Sequence, residues 1–114
     1  MRNKTDLSLF FEPKSLAIIG SLREGYFGGY VVIKTLLNAG FKGKIFPVNP
    51  SYHEVLGLKV HPSLKDIPEE VDLVLLIINR RAVPDMMRAC ADRRIKAVIV
   101  VADGQMVMLV LPAV

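Results

Sequence analysis

The chain has no tryptophan, one cysteine, and aromatic residues at only 7 % of its 114 positions. With Cys90 alone, no intrachain disulfide can form, which fits a reducing compartment. Sparse aromatics argue against a base-stacking surface for single strands. No apolar run approaches the ~20 residues of a membrane helix. Met1 opens a polar, charged segment rather than a secretory signal. Neither sign of charge is in large excess: 15 basic less 11 acidic residues leave +4. The basic residues are dispersed, adjacent only at Arg80–Arg81 and Arg93–Arg94. This mild balance suits a small anionic ligand at least as well as nucleic acid. The expectation is a soluble, cytoplasmic protein with no nucleic-acid or membrane partner.

Several motifs are also missing. There is no internal repeat, linker or low-complexity segment. The dinucleotide pattern G-x-G-x-x-G is absent. The Walker pattern fails because Tyr26, not lysine, follows the window Gly20–Gly25. His53 and His61 lack metal-ligand spacing and are expected at the surface or in a structural role. Cys90 lies on an apolar helical stripe and reads as a small buried hydrophobe. Ser21 has no evident base to make it a nucleophile.

What is present is an alternation. Hydrophobic residues are 52 % of the chain, enough for one compact core. Residues through Leu9–Phe11 form a short helix, capped by Thr5 or Asp6 and stopped by Pro13. Ser15–Gly20 (SLAIIG) is a buried strand. Gly29 to Gly40 is a helix with Val32, Ile33, Leu36 and Leu37 on one face and Gly40 in the C′ position. Lys44–Val48 (KIFPV) is a second strand, placed at an edge or bend by Pro47. Residues 51–70 are less regular, with a turn and short strand near Gly57 and a helical turn between Pro62 and Pro68. Val71–Ile78 is a strand apolar on both faces. A helix with Pro84 in its first turn follows, carrying Val83, Met86, Met87, Cys90 and Ala91 on one stripe. Ile95–Val101 is the next strand, and Asp103-Gly104 the next turn. Met106–Leu111 (MVMLVL) is apolar and reads as one further strand or as an atypical tail. Strands and helices in this order imply an α/β fold: a Rossmann-like, doubly wound, mainly parallel sheet in one domain spanning 1–114.

The corner from Lys14 to Pro50 carries the functional signal. Strand, glycine-rich turn and helix start place backbone N–H groups at the carboxyl end of a strand, where phosphate binds. Gly20, Gly25, Gly28 and Gly29 allow close backbone approach. At the end of the second strand, Val48-Asn49-Pro50 offers no acid for a ribose 2′-OH, which disfavours NAD and leaves NADP or coenzyme A. Asn49 can hydrogen-bond a sugar or base, or form an Asx turn before Pro50. Arg80 and Arg81 follow the third main strand at the ligand edge of the sheet. They suit phosphate by their forked donors, or they start a solvated helix.

These segments in this order resemble a known family. PKSLAIIGS, a Gly-Gly pair, the helix with Lys34 and Leu36-Leu37, GFKGKIFPVNP, Gly57 and HPSLKDIPEEVDLVLLII are similar to the N-terminal CoA-binding domain of NDP-forming acyl-CoA synthetases, as in the succinyl-CoA synthetase alpha subunit. The resemblance covers about residues 6–104. It implies coenzyme A or acyl-CoA as ligand and a ligase partner domain or subunit. The implied contacts are the first loop (Gly20, Ser21, Leu22, Arg23, Gly28, Gly29), the segment Val48, Asn49, Pro50, the third loop (Asn79, Arg80, Arg81) and the fourth (Ala102, Asp103, Gly104). The chain departs from the family's usual pattern at Ser21-Leu22, at Ser51 and at Asn79-Arg80. Nothing matches the family's phosphorylated histidine or nucleotide-grasp portion, so no catalytic residue is assigned and the chain is not expected to be active alone. A redox or sensor module binding NADP or NAD, and a structural or regulatory subunit with a decayed site, are the alternatives. An edge strand at 106–111 would also favour a homodimer.

Overall fold

The computed structural model describes residues 6–111. The expected cap at Thr5 lies outside them.

The chain opens with α1 (Asp6–Phe11), then β1 (Ser15–Gly20), a glycine-rich loop, and α2 (Gly29–Asn38). Gly40 takes the positive φ of 81° that ends such a helix and frees the chain to turn. β2 (Lys44–Val48) follows. A small hairpin, β3 (Glu54–Val55) and β4 (Leu58–Lys59), turns through Leu56 and Gly57, both at positive φ. A 3-10 turn covers Leu64–Asp66, inside the proline-bracketed segment expected to be helical. β5 (Leu73–Ile77) is followed by a second 3-10 turn (Arg80–Ala82), α3 (Val83–Asp92), β6 (Ala97–Ala102) and β7 (Gln105–Val110).

β5 is shorter than the apolar run that encodes it. Val71 and Asp72 are buried, but their neighbourhood serves a clamp instead of the ladder. The Asp72 carboxylate accepts the Lys14 N–H at 2.9 Å, and the Asp72 N–H donates to Ser15 Oγ at 2.9 Å. The Ser15 hydroxyl donates in turn to the Glu70 carbonyl at 2.9 Å. The entries of β1 and β5 are thereby joined.

The main sheet has the order β2-β1-β5-β6-β7. The first four strands pair in parallel, and β7 returns antiparallel to β6. Ala102 pairs with Gln105, so the connecting loop is only Asp103-Gly104, at φ 52° and 75°. Both central residues at positive φ match the turn whose twist suits a two-residue hairpin. The tail is therefore a strand of the sheet.

α2 packs Ile33 on the face made by Leu16, Ile18 and Ile45, whereas α3 packs Cys90 on the face made by Ala17, Ile19, Val74, Leu76 and Val98. Helices on opposite faces make the sheet doubly wound. The chain leaves β1 toward β2 and leaves β5 toward β6, so the crevice between β1 and β5 is the topological switch point.

Candidate functional site

Four loops meet at the carboxyl ends of the parallel strands. The first, between β1 and α2, is closed on itself. Leu22 inserts its side chain into the core at 2 % exposure, so only its backbone faces the loop surface. The Ser21 hydroxyl accepts the Arg23 N–H at 3.2 Å, and the Ser21 carbonyl accepts the Tyr30 N–H at 3.2 Å. A Cβ on Gly28 would lie 2.9 Å from the Ser21 carbonyl oxygen, and one on Gly29 would lie 3.1 Å from Leu22 and 3.3 Å from Ile18. These two glycines are required by the loop's own packing. Gly20 is required by the sheet, since its Cβ would meet the Ile77 carbonyl oxygen at 2.6 Å. Gly25 sits at φ 89° in open space and serves the turn. The Arg23 guanidinium lies 4.1 Å from the Tyr26 ring centre, a cation–π contact.

α2 begins at Gly29, as the sequence indicated, and no side chain caps it. No acidic residue stands in its first turn. The positive end of its dipole thus meets no acidic side chain from its own first turn.

Asn49 anchors the second loop. Its Nδ2 donates to the Gly20 carbonyl at 3.0 Å, and its Oδ1 accepts the Ser51 N–H at 2.8 Å. The Asx turn is real, and the same side chain also ties the end of β2 to the end of β1. His61 flanks β2 from outside: its N–H donates to the Pro47 carbonyl and its carbonyl accepts the Asn49 N–H. The imidazole is buried edge-on to Phe46, with Nδ1 lacking a hydrogen-bond partner. His53 is exposed.

In the third loop, Asn79 caps the 3-10 turn by accepting the Arg81 N–H at 2.9 Å. Arg80 Nε stands 3.6 Å from the Asp103 carboxylate of the fourth loop, both side chains largely in solvent. Arg81 is exposed. Ala102 and Gly104 complete the short β6–β7 turn.

Two cavities flank the switch point. On the β1–β2 side, an apolar cleft of about 520 Å³ lies between the strand ends and α3, with Ile19, Val48, Pro50, Leu64, Met86 and Ala89 on its walls. Ser63, Lys65 and Asp92 add polar groups. Arg93 braces this cleft: its guanidinium donates to the carbonyls of Leu64 at 2.9 Å and Ile67 at 2.7 Å, and to that of Glu69. On the β5–β6 side, a smaller hollow of about 280 Å³ is bounded by Phe27, Ile77, Ile78, Asn79, Val101 and the Ala102–Gly104 turn. A third cavity, of about 310 Å³, opens at the amino-terminal end of the strands beside Leu9, Asp72 and Arg94, away from the loops.

The structure brings the predicted first, second, third and fourth loops to one edge of the sheet. Sequence reasoning missed Phe27, Ser63, Lys65 and Met86, which line the cavities. The available signals were an aromatic beside the Gly28-Gly29 pair and a Ser-x-Lys inside the Pro62–Pro68 bracket. Cys90 is fully buried, and burial raises its thiol pKa to about 11, which leaves it inert. Among the described residues no cluster of His, Cys, Asp or Glu could hold a metal ion, and no helix is long and apolar enough to cross a membrane.

A family model described as a CoA binding domain matches residues 14–109, reaching into β7 and so beyond Gly104, where the resemblance read from sequence stopped. The acetate–CoA ligase [ADP-forming] II of Archaeoglobus fulgidus is 41 % identical over 99 residues, which cover 87 % of this chain and 15 % of that protein. The alpha subunit of the acetate–CoA ligase [ADP-forming] I of Pyrococcus furiosus is 33 % identical over 102 residues, 86 % of this chain and 22 % of the subunit. The solved dinucleotide forming acetyl-coenzyme A synthetase 1 of Ca. Korarchaeum cryptofilum, in complex with phosphate and ADP, superposes with a TM-score of 0.81 at 31 % identity, covering 88 % of this chain and 22 % of that one. The chain thus spans less than a quarter of the length of these relatives. It belongs to the CoA-binding domain family, on the branch related to NDP-forming acyl-CoA synthetases.

Proposed function

We propose that this domain binds coenzyme A or an acyl-CoA across the β1–β5 switch point and presents it to a ligase partner. The observation that carries the reading is a convergence. A helix start without a capping side chain and the closely packed Gly28-Gly29 backbone follow β1, and the apolar cleft of about 520 Å³ reaches Ile19 near the end of the same strand. The chemistry of these groups fits the ligand. Backbone N–H groups and the α2 dipole suit a diphosphate. The apolar walls formed by Ile19, Val48, Pro50 and Met86 suit an adenine ring, with Ser63 and Lys65 available to its ribose and ribose phosphate.

Asn49 acts as a positioning residue, because both ends of its amide already bond to the protein. Lys65 is the better candidate for the ribose phosphate than Arg80, because Lys65 lines the cleft whereas the Arg80 guanidinium faces Asp103. Arg81 remains at the rim as added positive charge. The acid–thiol ligase activity of the relatives is proposed only for an assembly of this domain with further ligase parts. Either those parts or a second copy of the chain would cover the outer edge of β7.

Amide chemical-shift mapping tests the placement. Coenzyme A is expected to perturb the N–H signals of Gly28–Val31, Asn49 and Lys65 together. Shifts confined to Leu9, Asp72 and Arg94 would place the ligand at the opposite end of the strands and overturn it.

A further inference from the structure

The hollow at the ends of β5 and β6 has no role in holding the nucleotide. Its most exposed wall is Phe27, a large apolar side chain left 70 % accessible in the ligand loop. The loop has no packing need for this ring, since Leu22 supplies its core anchor and Tyr26 stacks on Arg23. Gly28 and Gly29, packed against Ser21 and Leu22, fix the backbone immediately after Phe27. The ring lines the hollow together with Ile77, Ile78 and Val101.

We infer that this hollow is the acyl subsite of the domain and that Phe27 determines its preference, for uncharged apolar acyl groups longer than acetyl. The inference rests on the placement of the nucleotide end in the β1–β2 cleft. A ligand held there and crossing the Gly28-Gly29 backbone directs its thioester end toward β5 and β6. The volume of about 280 Å³ exceeds what an acetyl group fills. The walls offer an aromatic ring and three branched aliphatic side chains. The lining itself includes no cation for an acyl carboxylate and does include the Asp103 carboxylate, 3.6 Å from Arg80. A dicarboxylic acyl group would bring its charge beside Asp103 and compete for Arg80.

Isothermal titration of the whole chain with coenzyme A and its acetyl, butyryl, hexanoyl and succinyl thioesters tests this, with Phe27→Ala and Phe27→Trp as variants. Burial of apolar surface in an open hollow predicts affinity rising roughly twofold per added methylene from acetyl to butyryl. Succinyl-CoA is expected to bind no more tightly than acetyl-CoA. Phe27→Ala should flatten the chain-length dependence while leaving affinity for free coenzyme A within about twofold, and Phe27→Trp should preserve the dependence. Because Phe27 is exposed, neither variant threatens the core. Coenzyme A binding with no dependence on acyl length, or a dependence that survives Phe27→Ala, overturns the acyl assignment alone. No binding of coenzyme A or any thioester overturns both this inference and the proposed function.

Discussion

The side-chain amide of Asn49 donates to the Gly20 carbonyl across 3.0 Å, so the ends of β2 and β1 are held as one unit. The same side chain closes the turn at Ser51. Asn49→Ala removes both bonds and is expected to cost about 1–2 kcal/mol in urea unfolding. Asn49→Asp keeps the turn acceptor but sets a carboxylate against the Gly20 carbonyl. It should weaken coenzyme A by about tenfold, because the new negative charge stands beside the anionic ligand proposed there and the β1–β2 tie is lost. An Asp variant with unchanged affinity would remove Asn49 from the site.

Gly29 tests the first loop. Its Cβ would meet Leu22, the Ser21 carbonyl and Ile18 at 3.1–3.3 Å. Gly29→Val must push Leu22 or the loop outward, at roughly 1–3 kcal/mol in stability. Coenzyme A binding should be lost by more than tenfold in the fraction that remains folded. Gly25→Ala is the control: its φ of 89° makes it strained, about 1 kcal/mol, but nothing stands within 4 Å. Binding should survive there.

Much of this was legible in the chain. Ser15–Gly20 and Lys44–Val48 are strands at the predicted limits, because an apolar run between proline and glycine encodes its own ends. The start of α2 at Gly29 and the positive φ of Gly40 followed from local backbone chemistry. The Asn49 bond to Gly20, the Arg93 brace on Leu64 and Ile67 and the Arg80–Asp103 pair were not legible. Each joins residues that only the strand order brings together. Periodicity reports which face a residue takes, not which distant backbone its side chain will reach. The tail was ambiguous for a related reason: QMVMLV is apolar on both faces, so only pairing with β6 distinguishes it as a strand.

The ribose phosphate separates two cations. Lys65→Ala should reduce the preference for coenzyme A over its dephospho form by about tenfold, the loss of one charge-assisted hydrogen bond of ~1.5 kcal/mol. Arg80→Ala should leave that preference unchanged. The reverse pattern would move the phosphate to the β5–β6 side.

The two edges of the sheet predict association. β2 is blunted by exposed Lys44, by Pro47 and by the bridge from Val48 to His61. β7 has no charge, and Met106 is 66 % exposed on it. Light scattering of the chain should show a concentration-dependent dimer, and Met108→Lys should yield monomers with unaltered secondary structure. A monomeric wild type at high concentration would leave β7 without a role in self-association.

Cys90 predicts an alkaline limit. Its thiol is raised from 9.0 to about 11 by burial, so the folded state keeps a proton that the unfolded chain releases. Stability is unaffected below pH 9 and falls between pH 9 and 11, by on the order of 2–3 kcal/mol for two pKa units. Cys90→Ala should flatten that part of the unfolding profile. A thiol reagent that modifies the native protein at pH 7.5 within seconds would contradict the buried assignment.

Titration calorimetry of the chain with coenzyme A, acetyl-CoA, NADH, NADPH and ATP measures coenzyme A recognition itself. Saturable binding of coenzyme A and acetyl-CoA is expected, with NADH, NADPH and ATP weaker by at least about tenfold. Tighter binding of NADPH or NADH than of coenzyme A, or no heat with either thiol ligand, would contradict it.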